Sequence, residues 1–498
     1  MTILEAVAPG RTARTPKRSQ SAAGGLAWLI AGRSSNIALS IVTTGILSRF
    51  LTPQQFGQLV PVMIVISLSM AVFDGTFGVG IIRSPQLDRE RVRVALGNCL
   101  LVAVVLTVAL IAGSPLIERF FHFDQLAELI AAATIVILLR AVFVIACAVL
   151  QRERRYKEIS LASLVAAPFG SLIVSVPLAV AGYGAWSLLL GTISMGLVET
   201  VIVARKARLP WRITISRAGL SELGATEGFF ALNQLLNWAA LSSTNLIAGH
   251  VLSLTQLGFY SRSWRLLDIA VSATSGPMQR VLVPVFAGLQ DGGGAARDTF
   301  ERALAVAVPV FAIAGALACL HAEAIVRALL GTQWLETIPL VQILFSALVA
   351  RCGYKVSESV LVGFGRARSA AVRQLLYLVA LGSGALIAVR WQSTGIALST
   401  SVAVWLFYLL SLSQAVRLVH ASLGRVVLIH ARAAALATLL VAFHVLISFA
   451  VTRLSYWPGE VLVAAADVGF IGAILLAAPP WLVERTLRTM ILTRGRGA

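Results

Sequence analysis

Stretches of about twenty apolar residues recur from one end of the chain to the other. That recurrence constrains the fold more than any motif does. A run of this length crosses the hydrocarbon of a bilayer as a helix, because only a helix satisfies its own backbone groups there. Weak alternating segments of about ten residues, the mark of a membrane β-barrel, are absent. The composition agrees: 58% of the 498 residues are hydrophobic, 13% are charged, and the mean hydropathy is +0.86. A soluble domain carries about 25% charged residues. The expectation is an all-α polytopic membrane protein.

The apolar runs predict fourteen spans, near 27–47, 59–82, 95–113, 127–150, 160–181, 184–204, 229–249, 263–288, 303–320, 338–362, 370–389, 392–416, 433–452 and 461–483. The seventh and eighth are rich in Asn, Ser, Thr and Gln. Most of the 41 Lys and Arg fall in alternate connections, so the positive-inside rule puts both termini in the cytoplasm. One missed helix would scramble that alternation from there on. This topology also absorbs the net charge of +19, so no nucleic-acid partner is inferred. The chain then divides into a basic cytoplasmic N-terminus (1–26), a six-span lobe (27–204), a cytoplasmic linker (205–228), a second six-span lobe (229–416), two further spans within 417–483, and a cytoplasmic tail (484–498). The N-terminal stretch carries Arg11, Arg14, Lys17 and Arg18. No small-residue cleavage site follows a short apolar core, so the first helix is expected in the mature protein. No connection is long enough for a soluble catalytic module. Cys99, Cys147, Cys319 and Cys352 have no paired spacing and read as small core residues.

Within the tenth run, Arg351-Cys352-Gly353-Tyr354-Lys355-Val356-Ser357-Glu358 puts three ionisable groups near or just past the middle of the membrane. Each charge facing lipid there costs about 2.5–3.5 kcal/mol. Arg351 and Lys355 stand one turn apart, two like charges that Glu358 partly offsets. Such a helix is expected to face a wet cavity, a partner helix or an anion.

The chain also repeats. An offset of 201 residues lays Leu51-Thr52-Pro53-Gln54-Gln55-Phe56-Gly57 on Leu252-Ser253-Leu254-Thr255-Gln256-Leu257-Gly258, Asn36 on Asn237 and Thr43 on Thr244. An offset of 211 lays Arg140-Ala141-Val142-Phe143 on Arg351-Cys352-Gly353-Tyr354 and Gly184 on Gly395. Spans 1–6 thus read as duplicated in spans 7–12, in the same orientation, with spans 13 and 14 as additions.

Polar stripes follow the helical period. Arg33, Asn36, Ser40 and Thr43 share one face of the first span. Arg265, Asp268, Ser272, Ser275 and Gln279 share one face of the eighth, and Ser67, Ala71, Asp74 and Gly78 match the last four of them. Ser and Thr at this spacing also glue helices together. Asp74 and Asp268 are assigned to a wet face, because an acid in the bilayer needs water or a cation. Arg33 and Arg265 lie where they can snorkel, and Glu199 and Arg280 lie near the cytoplasmic interface. Asp467 and His444, in the two extra spans, are placed for a structural pair. Arg140, Arg351 and Lys355 are too central to snorkel. No phosphate-cradling loop with Lys, no HExxH and no CxxC is present, so no ATPase, cofactor, metal site or catalytic residue is expected.

Four further segments carry a resemblance. Asp74-Gly75-Thr76-Phe77-Gly78-Val79-Gly80, Gly182-Tyr183-Gly184-Ala185-Trp186-Ser187-Leu188, Asn245-Leu246-Ile247-Ala248-Gly249 with Leu257-Gly258-Phe259-Tyr260-Ser261, and Gln333-Trp334-Leu335 with Pro339-Leu340-Val341-Gln342-Ile343-Leu344 resemble bacterial polysaccharide repeat-unit flippases. These form a branch of the multidrug/oligosaccharidyl-lipid/polysaccharide exporter superfamily, and the likeness is to its colanic acid and xanthan-type members. It covers about Gly25 to Arg417. The resemblance implies a V-shaped pair of six-helix lobes in the inner membrane that rock to give alternating access. It implies an undecaprenyl-pyrophosphate-linked oligosaccharide as substrate, coupling to an ion gradient or the membrane potential, and polymerase and export machinery as neighbours. Thr244 stands where many relatives carry an acid, so no ion-coupling role is carried to it.

Together these readings give a flippase in which Arg140 and Arg351, one per lobe, hold the pyrophosphate across a cavity, with Lys355 adding charge. Glu358 and Asp74 would temper that grip, and Asn36, Asn237, Asp268, Ser272, Ser275 and Arg33 would line the cavity. Spans 13 and 14 would shelter the lipid tail. A cation-coupled drug exporter would favour acids and aromatics over arginines at the centre. A membrane glycosyltransferase, polymerase or ligase would want a larger outer loop than Ser114–Gln125 or His321–Thr337.

Overall fold

The computed structural model describes residues 22–83, 88–210, 212–216, 235, 238–239, 242–290, 294–451 and 456–477. Every regular element among them is helical. Ten are long and apolar enough to cross a membrane, one of them the continuous stretch Val372–Leu418. Large side chains stand exposed on their outer faces, Phe449 at 81% and Leu446 at 70% among them. Water would not tolerate so continuous an apolar surface; lipid does.

We number the helices α1 (Ala22–Phe50), α2 (Pro53–Phe73, carried on by a π-helical turn at Asp74–Gly78 and by Val79–Arg83), α3 (Arg89–Phe121), α4 (Leu126–Arg152), α5 (Tyr156–Pro168, Phe169–Ser175 and Val176–Val180) and α6 (Ala185–Ala207). There follow α7 (242–251), α8 (Leu254–Ala287), α9 (Gly294–Leu320), the short α10 (Ala322–Leu329), α11 (Ile338–Ser346 and Leu348–Gly363), α12 (Ala367–Ala388), α13 (Gln392–Leu418), α14 (Leu423–Ala450) and α15 (Tyr456–Ala477). The middle of α5 is π-helical between Pro168 and Pro177, neither of which can donate to the helix ladder. The tenth run is not one helix: it breaks at Ala347, four residues before Arg351.

In the first half α3 packs along α4, α4 along α6, and α1 against α5. In the second, α8 packs on α11, α12 on α13, and α9 on both α11 and α14. The halves join chiefly where α2 meets α8. There the two repeated segments cross about a local two-fold. A Cβ on Gly57 would lie 1.9 Å from the Leu254 carbonyl oxygen, and one on Gly258 would lie 1.9 Å from that of Pro53. The contact is isologous: each segment offers the other the same surface. The caps repeat as well. Thr52 and Gln55 form a capping box, and the Ser253 hydroxyl accepts the Gln256 N–H.

A knot of aromatic and polar groups seals this end. Trp334, fully buried, donates its indole N–H to the Ser48 carbonyl at 2.8 Å and packs edge-on against Phe56 and Phe259. Gln333 donates to the Leu51 carbonyl at 3.1 Å, and the Arg262 guanidinium lies 4.0 Å over the Phe56 ring. Beside the knot, a Cβ on Gly249 would come within 2.5 Å of the Phe121 ring. The turn before α6 favours Gly184, whose φ of 54° and ψ of −130° a side chain adopts only under strain.

The described part of the long linker does not dangle. Ser216 is clasped by Asn98 of α3, its N–H to the Asn98 amide oxygen at 3.0 Å and its carbonyl to the amide nitrogen at 3.1 Å.

Candidate functional site

Beyond the sealed end, α1, α5, α6 and α8 enclose a cavity of about 370 Å³. Asn36 and Ser40 reach it from α1, Ser160 and Ser163 from α5, Glu199 from α6, and Arg265, Ser272 and Arg280 from α8. Both halves of the chain therefore build its wall. Helical periodicity explains the set: positions 36 and 40 share a face, as do 265 and 272. Asn36 donates to the Ser163 hydroxyl at 2.8 Å while its own carbonyl oxygen is buried without a hydrogen-bond partner. Arg265 bridges the halves, donating to Ser40 at 2.8 Å and lying 3.3 Å from Asp268.

Two arginines and one glutamate line this cavity, and Asp268 stands beside Arg265, so the charges around it balance while two guanidinium groups remain in reach of a ligand. Glu199 and Arg280, which the sequence put at the membrane interface, are part of the wall. Their signal was faint: isolated charges near the ends of apolar runs are commonplace.

The central charges sit in the walls behind. In the first half, Nη2 of Arg140 donates to both carboxylate oxygens of Asp74, at 2.7 and 3.0 Å. Its guanidinium also lies 4.8 Å from the Phe143 ring centroid. Asp74 opens the π-helical turn of α2, and such turns are frequent at functional sites. Glu199 stands between this pair and the cavity, interacting with both Ser163 and Arg140.

In the second half, the Arg351 guanidinium stacks 4.1 Å over the Trp264 ring of α8. Lys355 lies 4.5 Å over the Tyr354 ring and 3.8 Å from Glu358, which accepts from Gln279 at 3.4 Å. So α8 presents Arg265 and Ser272 to the cavity and Trp264 and Gln279 to α11. Neither Arg140 nor Arg351 is among the described lining residues. Asn237 lies outside the described residues, as do the side chains of Arg33 and Ser275.

A second, larger hollow of about 830 Å³ lies between α9, α11, α13 and α14. Its wall is nearly all apolar, including Phe311, Trp405, Leu412 and Val426. Within it the Tyr408 hydroxyl lies 2.6 Å from His430 Nε2, whose Nδ1 faces the Val426 carbonyl oxygen at 2.8 Å.

Comparison with known proteins places these features in context. Residues 46–339 match a family model described as polysaccharide biosynthesis protein. The succinoglycan biosynthesis transport protein ExoT of Rhizobium meliloti (strain 1021) is 21% identical over 64% of this chain and 64% of its own length. The teichuronic acid biosynthesis protein TuaB of Bacillus subtilis (strain 168) is 22% identical over 64% of this chain and 68% of its own. The lipopolysaccharide biosynthesis protein WzxC of Escherichia coli (strain K12) is 22% identical over 62% of this chain and 63% of its own. The chain thus matches somewhat under two-thirds of the first of these relatives. Among solved structures, the lipid II flippase MurJ in its inward closed conformation aligns with a TM-score of 0.71, over 90% of this chain and 98% of that one, at 11% identity. An inward-facing multidrug resistance MATE family transporter aligns with a TM-score of 0.62, over 79% of this chain and 98% of that one, at 15% identity. At such identities the likeness is one of fold.

Proposed function

The chain belongs to the polysaccharide biosynthesis protein family, and from that premise we propose that it flips a lipid-linked oligosaccharide across the inner membrane. The observation that carries the reading is the cavity built by both halves, with two arginines in its wall and a two-fold crossing at one end. The substrate is an undecaprenyl-pyrophosphate-linked repeat unit destined for a surface polysaccharide. The relatives' names support a polysaccharide; the guanidinium groups of Arg265 and Arg280 support a phosphorylated carrier.

The topology is fourteen spans in two six-helix lobes and two additions, with both termini cytoplasmic. The sealed end then faces outward. Arg265 and Arg280 meet the pyrophosphate first, since they line the cavity. Arg140 and Arg351 are a second tier, one in each lobe. Guanidinium groups suit the task because they stay charged and bind phosphate oxygens in pairs. Asn36, Ser160, Ser163 and Ser272 offer hydrogen bonds to sugars. The apolar hollow against α14 shelters the polyprenyl chain, which buries each CH₂ for about 0.8 kcal/mol. Separation of Gly57 from Gly258 opens the outward path, and sugar polymerases act on what emerges.

Deletion in the native host tests this. Complete repeat units should accumulate on their carrier at the inner leaflet while surface polysaccharide is lost, and the wild-type chain should restore both. Truncated repeat units would assign the chain to a glycosyl-transfer step instead, and unchanged surface polymer would refute the proposal.

A further inference from the structure

Away from the cavity, three helices bring two imidazoles and a carboxylate together. His321 follows the end of α9, His444 lies on α14 and Asp467 on α15. The ligand atoms of all three lie within 4.8 Å of one another. Asp467 Oδ2 is 2.6 Å from His444 Nδ1 and 3.0 Å from His321 Nε2. The other ring nitrogen of His321 faces a second carboxylate, Glu460 Oε2, at 3.2 Å.

A neutral imidazole has one N–H. Both nitrogens of His321 face carboxylate oxygens, so a ring with one N–H leaves one of those oxygens without a donor. Asp467 is fully buried, and its second oxygen, Oδ1, has no hydrogen-bond partner. Among the described residues its ion pairs are both to histidines, and Arg327 nearby is engaged by Glu323 and Tyr456. Among the described residues only these imidazoles meet the buried Asp467 carboxylate, so a cation bound between them would satisfy it.

We infer that His321, His444 and Asp467 form a binding site for one divalent transition-metal ion of the zinc class. Imidazole nitrogens and a carboxylate oxygen suit that class and not calcium or magnesium. Ligand bonds of about 2.0–2.1 Å in a tetrahedron would set donor atoms about 3.3 Å apart. The present spacings of 2.6 and 3.0 Å would open to that by about 0.7 and 0.3 Å, while the widest spacing in the cluster, up to 4.8 Å, would close as the two rings turn inward. Asp467 Oδ1 supplies further ligating capacity. Glu460 takes the outer position on His321, accepting from Nδ1 and so directing Nε2 inward. A carboxylate behind a histidine is the common support of a metal-bound imidazole. The consequence is mechanical: α15 packs chiefly on α14, and the ion ties it to the end of α9 in the second half.

The test uses the full chain purified in detergent with a non-histidine affinity tag, stripped with chelator and dialysed against zinc alone. We expect about one zinc per chain, and visible absorption bands of tetrahedral type when cobalt replaces it. Asp467→Asn and His444→Gln should each abolish binding, whereas His250→Gln, in the separate His122–His250 pair, should keep it. Glu460→Gln, which keeps all three ligands, should weaken zinc by about 10- to 100-fold. That variant decides the matter if the ligand variants fail to fold. No zinc on the wild-type chain, zinc undisturbed by Asp467→Asn and His444→Gln, or affinity unchanged in Glu460→Gln would overturn the inference. So would thermal stability that follows pH through the histidine range and ignores zinc, which would mark the cluster as a proton site.

Discussion

Arg140 and Arg351 occupy matching positions in the two halves, yet their charges are satisfied in opposite ways. Arg140 is held by a carboxylate, Asp74, at 2.7 Å. Arg351 rests on the face of Trp264 at 4.1 Å, beside a lysine and a glutamate that largely cancel. An ion pair neutralises its arginine; an aromatic face steadies the guanidinium and leaves its charge available. The first half therefore carries a closed pair and the second a net positive charge. On the proposed function that asymmetry has a use: the second lobe would grip the anion and the first would yield it.

The largest expected effect is at Arg351. Arg351→Gln should weaken binding of a polyprenyl pyrophosphate by about 10- to 100-fold, the value of one or two charged hydrogen bonds. Native mass spectrometry of the purified chain would measure it. An equal loss in Arg140→Gln paired with Asp74→Asn would break the contrast between the halves.

Next comes the closed end, where the halves are alike. Gly57→Ala and Gly258→Ala each drive a methyl group against a backbone carbonyl 1.9 Å away. Overpacking of this kind costs about 1–3 kcal/mol. Both should shift the population toward separation of α2 from α8, and by similar amounts because the crossing is two-fold. Spin labels on the two helices would report the distance. Unequal responses would show that the crossing is less symmetric in energy than in shape.

Smaller is the effect at the first-half pair. Asp74→Asn frees Arg140 and should tighten pyrophosphate binding several-fold while slowing export. Arg140→Gln strands Asp74 near Glu199, so its melting temperature should fall, and the double variant should recover part of the loss. A strictly additive cycle would mean the pair is not coupled. Smallest is Trp264→Leu. Removing the cation–π contact, worth about 0.5–1 kcal/mol at partly exposed sites, should change affinity by about two- to five-fold.

Much of the scaffold was legible in the sequence, and the reason is length. Apolar runs of bilayer length admit few structures, and the segments that the repeat aligns, Leu51–Gly57 and Leu252–Gly258, meet at the crossing of α2 and α8, a contact the repeat itself did not announce. The motifs behind the family resemblance serve mainly the sealed end: Gly184 its turn, Gly249 its approach to Phe121, Trp334 its bond to Ser48. They announce architecture more than substrate. The cavity was harder to read. Asn36, Ser40, Arg265 and Ser272 declared themselves through helical spacing, but Ser160, Ser163 and Glu199 belong to helices with no polar stripe, and Arg280 lies off the stripe of α8. The pairing of Asp74 with Arg140 spans 66 residues, and no spacing rule relates them. His321 joins His444 and Asp467 from a helix end 123 residues upstream of the former, which leaves no local signature for a metal motif.

The most direct test of the proposed anion site is equilibrium binding of undecaprenyl pyrophosphate to the purified chain, wild type against Arg351→Gln and against the Asp74→Asn, Arg140→Gln pair. We expect the wild-type chain to bind one lipid saturably, the first variant to lose at least about ten-fold, and the double variant to stay within about three-fold of wild type. Wild-type affinity in Arg351→Gln would contradict a pyrophosphate site gripped by the second lobe.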